Sequence, residues 1–267
     1  MHTGIARRKQ QIPMTITEGI VLRERPVGEQ DKFIDILTKD NGVTEVSVKG
    51  ARKINGKTGS STQLFAYSRF CVNESRGRLI LNSAEPIHIF YGLRDSLTKL
   101  SLASYFAEVA VYCTPERSET ENRGTNLRLL LNCLHYLENG LRPEALLRSI
   151  FELRLMADTG YMPDILGCRS CGVFEPEELF FCIRDGGFYC ADCFGSAGDD
   201  HSLTDYMKVK LPVLNAVRHI VLADFDRLFN FRVSDKVQSA LTEFSSAYIT
   251  AHLEKHFKTL DFYRSLL

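Results

Sequence analysis

From residue 15 to about residue 84, apolar and polar side chains alternate, the period of half-buried strands. TEGIVLRERPV, FIDILTKD, VTEVSVKG, LFAYSRFCVN and RLILNSAEPI are five such runs. Asn41-Gly42 separates the second from the third, and Arg76-Gly77 separates the fourth from the fifth. Both dipeptides favour tight hairpin turns. No crossover helix fits between these runs. The strands are therefore expected to close on themselves as a small barrel or sandwich, which hides their edges. The third and fourth runs are joined by ARKINGKTGSSTQ, a glycine-bearing stretch with three basic residues and no acid, expected to be an exposed loop.

Near residue 90 the period lengthens. Leu93, Leu97, Leu100, Phe106, Val109 and Ala110 recur at helical spacing, and Pro115 ends the pattern. TNLRLLLNCLHYLENG predicts a second helix ending at Gly140, and EALLRSIFELRLMADTG a third that starts after Pro143 and stops at Gly160. KLPVLNAVRHIVLA and SDKVQSALTEFSSAYITAHLEKHF predict two later helices, with Ser234 as the N-cap of the last.

Between these helical blocks lies GCRSCGVFEPEELFFCIRDGGFYCADCF. Cys168-x-x-Cys171 and Cys190-x-x-Cys193 each aim two sulfurs toward one point, and two such turns build the tetrahedral thiolate shell that suits zinc. Iron–sulfur chemistry accepts the same four ligands. Four thiolates leave no open position for water, so the expected ion is one structural Zn2+ rather than a catalytic one. Cys182 is expected on the small hairpin, while Cys71, Cys113 and Cys133 read as small buried hydrophobes.

The expected organisation is α+β. Residues 1–13 form a flexible extension or an expression remnant. Residues 14–84 form a five-stranded barrel. Residues 85–165 and 198–267 are the two parts of an all-helical domain, into which a four-cysteine zinc knuckle is inserted at 166–197. No apolar run reaches the ~20 residues of a membrane span, and no leader-like stretch opens the chain. A cytoplasmic protein is expected.

Charge then separates the parts. The chain is neutral overall, yet residues 1–84 carry 14 Lys and Arg against 8 Asp and Glu, whereas residues 166–200 carry 2 against 7. The knuckle is thus an unsuitable phosphate surface, and the barrel a suitable one. Lys49, Arg52, Lys53, Lys57 and Arg69 fall in a window without acids, and Arg76 follows at the next turn. Phe65, Tyr67 and Phe70 are interleaved with them and could stack on bases, although alternation also directs some of them into the core. No clustered acids, nucleophile motif or phosphate loop stands out. GARKINGKTG misses the P-loop register by one residue, and His252 and His256 lack the Glu of a zinc-hydrolase helix. The chain is expected not to be an enzyme.

GIVLRERPVGEQDKF, KGARK, the cysteine order after GYMPDILGC and the ending HFKTLDFYRSLL together resemble the bacterial RecO family of DNA repair and recombination mediators, across residues 15 to 267. The resemblance implies an N-terminal oligonucleotide/oligosaccharide-binding (OB) barrel and a helical domain, often with a zinc knuckle. It implies binding of single- and double-stranded DNA, annealing of complementary strands, and association with RecR. Together with RecR such proteins help load the RecA recombinase onto DNA coated by single-strand-binding protein. A nucleoid-associated location follows from those partners. The KGARK match carries the DNA-binding role to Lys49, Arg52 and Lys53, with Arg23 and Arg25 extending the surface along the first strand. Some relatives hold the acidic, apolar tail of single-strand-binding protein on the helical domain. Lys208, Lys210 and Arg218 are the basic residues expected there. The rival readings are a protein-interaction scaffold and an RNA-binding factor.

Overall fold

The computed structural model describes residues 14–51, 58–114, 123–196 and 206–267. The extension 1–13 and the predicted contacts Arg52, Lys53 and Lys57 lie outside the described residues. The chain divides into two compact units, Met1–Ile89 and Phe90–Leu267.

The first unit is built from β1 (Met14–Val27), β2 (Asp31–Thr38), β3 (Gly42–Val48), β4 (Ala66–Ser75) and β5 (Arg78–Ile89). Alternation drives Val21, Ile34, Ile36, Val46, Val48, Phe70 and Val72 into one core. The β2–β3 turn is one residue longer than the Asn-Gly signal suggests. Thr38 pairs with Gly42, and the Thr38 hydroxyl accepts the Asn41 N–H at 3.0 Å. The β4–β5 turn is the two-residue kind, closed by Ser75 opposite Arg78, with Arg76 at φ 53° and Gly77 at φ 73°.

The expected fold class is corrected in both units. The five strands follow one another round in the order β1-β2-β3-β5-β4, but they do not make a uniformly closed barrel. β3 meets β5 in parallel through Val46↔Leu79 and Ser47↔Ile80 alone, whereas β4 and β5 pair along their whole length. The physical reason lies in β5, which has no fully buried residue and two register shifts against β4. It follows β4 closely and reaches β3 only near its start.

The second unit is not all-helical. Its helices are α1 (Leu97–Cys113), α2 (Arg123–Glu138), α3 (Glu144–Asp158), α4 (Ala191–Ser196), α5 (Leu211–Leu222), α6 (Phe225–Leu228), α7 (Asp235–Leu253) and α8 (Lys258–Arg264). Among them sits an antiparallel sheet in the order β7-β6-β8, formed by β6 (Leu179–Cys182), β7 (Gly187–Cys190) and β8 (Tyr206–Val209). β8 lies beyond the expected knuckle boundary. Its four residues YMKV are too short to carry a period, and their pairing with β6 decides their conformation. Helix ends follow local chemistry: the Ser96 hydroxyl accepts the Lys99 N–H at 3.4 Å to start α1, and Pro212 occupies the first turn of α5. Phe106 and Phe151 meet at 4.4 Å between ring centres in the helical core. Among the described residues no helix is long and apolar enough to cross a membrane.

One buried polar network interrupts that core. Glu152 on α3 is fully buried, accepting from the Tyr105 hydroxyl at 2.8 Å and the Ser245 hydroxyl at 2.5 Å. Arg148, one turn earlier, lies 3.7 Å from the carboxylate, and its Nε has no hydrogen-bond partner among the described residues.

Candidate nucleic-acid face and metal centre

The outer face of the first unit carries most of the predicted basic residues, and register decides what they meet. Arg23 stands opposite Asp35, which stands opposite Glu45. Arg25 spans the row: its Nη2 lies 2.6 Å from both Asp35 and Glu45, while Arg23 lies 3.7 Å from Asp35. Arg69 sits in a second row, between Glu18 on β1 and Glu85 on β5, and donates to Glu18 at 2.9 Å. That bond, with a second from the Tyr67 hydroxyl, holds the Glu18 carboxyl below its usual range. These three arginines are thus engaged with carboxylates. Lys49 and Arg76 stand exposed without a carboxylate partner among the described residues.

The interleaved aromatics are not a stacking platform. Phe65 and Phe70 are fully buried, and Tyr67 is half-buried with its hydroxyl on Glu18 at 3.0 Å. Phe65 breaks the expected alternation because it precedes β4 at φ 62°, which turns it into the core beside Ala66.

Sequence reading missed the residues that fix both ends of the basic segment. The Asp31 carboxylate accepts the Gly50 N–H at 2.8 Å. Lys32, next to it, is buried and donates to Glu24 at 2.7 Å and to the Thr62 carbonyl at 2.8 Å. Glu24 in turn accepts the Leu64 N–H at 2.5 Å. In the sequence this is only DK at the start of a strand, indistinguishable from a solvated pair. Lys32→Met is expected to lower stability by about 1–3 kcal/mol, because Glu24 and the Thr62 carbonyl lose a charged donor. Denaturant unfolding checks it.

In the second unit, the four paired cysteines converge. Cys168 and Cys171 lie on the loop before β6, Cys190 ends β7 and Cys193 falls in the first turn of α4, and their sulfurs all lie within 4.8 Å of one another. Close backbone approach permits this: a side chain at Gly167 would come within 3.0 Å of the Gly172 carbonyl. The loop is sealed by Gly172 N–H on the Cys168 carbonyl at 2.8 Å and by Cys168 N–H on the Val173 carbonyl at 2.9 Å.

The donor set fits a tetrahedral ion. Zinc–sulfur bonds of about 2.3 Å require sulfurs about 3.8 Å apart, and Cys171 and Cys190 are separated by 3.7 Å. Burial alone would push the Cys168 thiol up, but backbone N–H groups of Cys171, Cys190 and Ser170 outweigh it and bring the thiol down to about 6. The Ser170 hydroxyl favours the Cys193 thiolate, yet the sulfurs of Cys190 and Cys171 outweigh it and push that thiol up to about 12. A metal ion in place of the shared protons relieves this competition. Cys182 is buried on β6 outside the cluster.

Of the basic residues expected to meet an acidic tail, Lys208 and Lys210 line a groove of about 660 Å³ with Lys236. Met207, Val209, Val213, Val237 and Ala240 give it an apolar floor. Lys208 is also paired with Glu178 at 2.6 Å. Arg218 lies elsewhere, donating to the Ile165, Leu166 and Phe174 carbonyls at 2.8, 3.3 and 2.9 Å. It braces the knuckle.

Comparison with known proteins places these features in a family. The family model described as "Recombination protein O N terminal" matches residues 14–90, and the one described as "Recombination protein O C terminal" matches residues 94–261. The "DNA repair protein RecO" of Alkaliphilus metalliredigens is 32% identical over 249 residues, covering 92% of this chain and 96% of that one. The protein of the same name from Acetivibrio thermocellus is 30% identical over 250 residues, covering 94% and 96%. Family models over both units, and relatives matched along nearly their whole length, agree: the chain belongs to the RecO family.

Proposed function

We propose that this chain binds single- and double-stranded DNA through the first unit, anneals complementary strands, and acts with RecR to load the RecA recombinase where single-strand-binding protein coats DNA. Family membership over both units is the observation that carries this reading. It makes the chain a DNA recombination mediator, and as a member of a family of non-catalytic mediators it is not an enzyme.

The phosphate-binding residues in this reading are Lys49, Arg52, Lys53, Lys57 and Arg76, with Arg23, Arg25 and Arg69 reaching phosphates only when DNA competes with their carboxylates. Cations from one unit then neutralise two strands at once, and complementary bases meet with less repulsion. Recognition is blind to sequence, because no α-helix among the described residues of the first unit is presented to a groove. Arg52→Ala/Lys53→Ala is expected to weaken binding equally for all sequences and to flatten the salt dependence by about one unit of log–log slope per lost phosphate contact. Annealing of labelled oligonucleotides across a salt series measures both. A loss confined to some sequences would overturn the phosphate role.

The four cysteines hold one structural Zn2+ in this reading. Cys168, Cys171, Cys190 and Cys193 complete its shell, and the ion supplies cross-linking rather than reactivity. The lysine-rimmed groove is the site for the acidic, apolar tail of single-strand-binding protein. Lys210→Glu/Lys236→Glu is expected to weaken binding of a peptide carrying that tail by about a hundredfold, since two attractive contacts become repulsive. Fluorescence anisotropy at several salt concentrations checks it.

A further inference from the structure

Beside the metal centre, three large apolar residues face solvent on one short loop: Leu166 is 68% exposed, Phe174 53% and Val173 40%. The neighbouring Ile165 and Leu179 are buried at 1% each. The segment thus satisfies the core with adjacent residues and turns these three outward.

The three are held together and held rigid. Arg218 Nη2 donates to the carbonyls of both Leu166 and Phe174, and the guanidinium carbon sits 3.9 Å from the centre of the Phe174 ring. The Val173 carbonyl is tied to the Cys168 N–H, so the loop that carries the patch also carries the ligands. A pre-organised apolar patch loses little freedom on binding, and such patches with polar rims mark interaction surfaces.

Charge selects the partner. Glu175 and Glu177, exposed next to Phe174, lie in a module of five acids and two arginines across residues 166–197. One of those arginines, Arg169, is paired with Asp164. A divalent ion among four thiolates leaves the centre a net anion beside the patch. DNA and acidic peptides are repelled from such a surface. An apolar segment flanked by Lys or Arg is complementary to it.

We propose that the tip formed by Leu166, Val173 and Phe174 docks a protein segment in which apolar side chains are flanked by Lys or Arg. This goes beyond the mediator reading, and it involves neither the basic residues of the first unit nor the lysine-rimmed groove.

The test is a photocross-linker, p-benzoylphenylalanine, placed at Phe174 of the full chain in cells, with the attached peptide identified by mass spectrometry. That peptide is then synthesised and its affinity measured by anisotropy. The expected result is one recurrent segment bearing apolar and basic residues. Its binding should fall about tenfold for Phe174→Ser, as for an interface hot spot, and by a similar factor for Glu175→Lys/Glu177→Lys. Zinc content and strand annealing serve as controls for folding and should stay unchanged in both variants. Cross-links to nucleic acid, to another copy of this chain or to a segment without basic residues would overturn the proposal. So would the absence of cross-links, or a peptide affinity indifferent to both variants.

Discussion

Stripping the metal from the four-cysteine centre is expected to unfold the knuckle and the sheet built on it. β6 and β7 have four residues each, too few for an isolated hairpin to persist in water. Their apolar side chains give partial support: Phe181 packs on Phe244 at 4.6 Å and on Tyr248 at 5.9 Å between ring centres. Structural zinc contributes on the order of 10–16 kcal/mol of apparent free energy, far more than those ring contacts. Four sulfurs within 4.8 Å also cannot all ionise without a cation. Chelation, or Cys168→Ser with Cys190→Ser, should therefore abolish hydrogen-exchange protection across residues 179–190; chelation should expose the thiols of Cys168, Cys171, Cys182, Cys190 and Cys193, and the double variant those of Cys171, Cys182 and Cys193. Cys133 is fully buried, with its thiol pushed well above the usual range by burial, and should stay unreactive. Protection of β1 to β4 serves as the internal control. If one ion per chain is not recovered by metal analysis, or protection survives chelation, the structural-zinc reading fails. Visible absorbance in the isolated protein would instead favour iron–sulfur.

The second large effect is expected at Glu152. Removing one member of a buried ion pair strands the other, at about 3–5 kcal/mol. Glu152→Ala should lose that much, because Arg148 stays 4% exposed and the hydroxyls of Tyr105 and Ser245 lose their acceptor. Arg148→Met/Glu152→Leu should recover a large part of it, since neither charge is then buried. Burial raises the Glu152 carboxyl above its ordinary value of 4.5, and the opposing pull of Arg148, Ser245 and Tyr105 does not cancel that rise. The folded state therefore takes up this proton at a higher pH than the unfolded state. Its contribution grows as pH falls through the raised value and is complete below 4.5. The stability gap between the wild type and Glu152→Ala should widen on acidification, with the other carboxylates cancelling in the difference. Denaturant unfolding of the three proteins between pH 7 and pH 4 measures this, and a gap that narrows would contradict the assignment.

Strand positions were legible because alternation is a local property, and the cysteine pairs were legible because their spacing is the chemistry. Closure of the sheet was not. Whether β5 pairs with β3 for two residues or along the whole of β3 depends on twist and register shifts, which leave no mark in RLILNSAEPI. Phe65 shows the limit of period-two reading, since a single left-handed residue turns its side chain inward. The basic residues were found by charge, but their partners were not, because Glu18 and Arg69 are fifty-one positions apart in the sequence and neighbours across two strands. Charge alone points to Arg218, and nothing in the sequence marks the three carbonyls that it bonds.

β8 belongs to two structures at once. It pairs with β6, which is joined to the strand that carries Cys190, and its Tyr206, Met207, Lys208 and Val209 form one wall of the groove. Any coupling that β8 carries between the cysteine cluster and the groove is reciprocal. Whatever factor the metal adds to the affinity of the groove, an occupant of the groove must add to the affinity for the metal. The free chelator concentration that removes half of the ion at equilibrium then becomes a gauge of groove occupancy, readable without a label on the peptide.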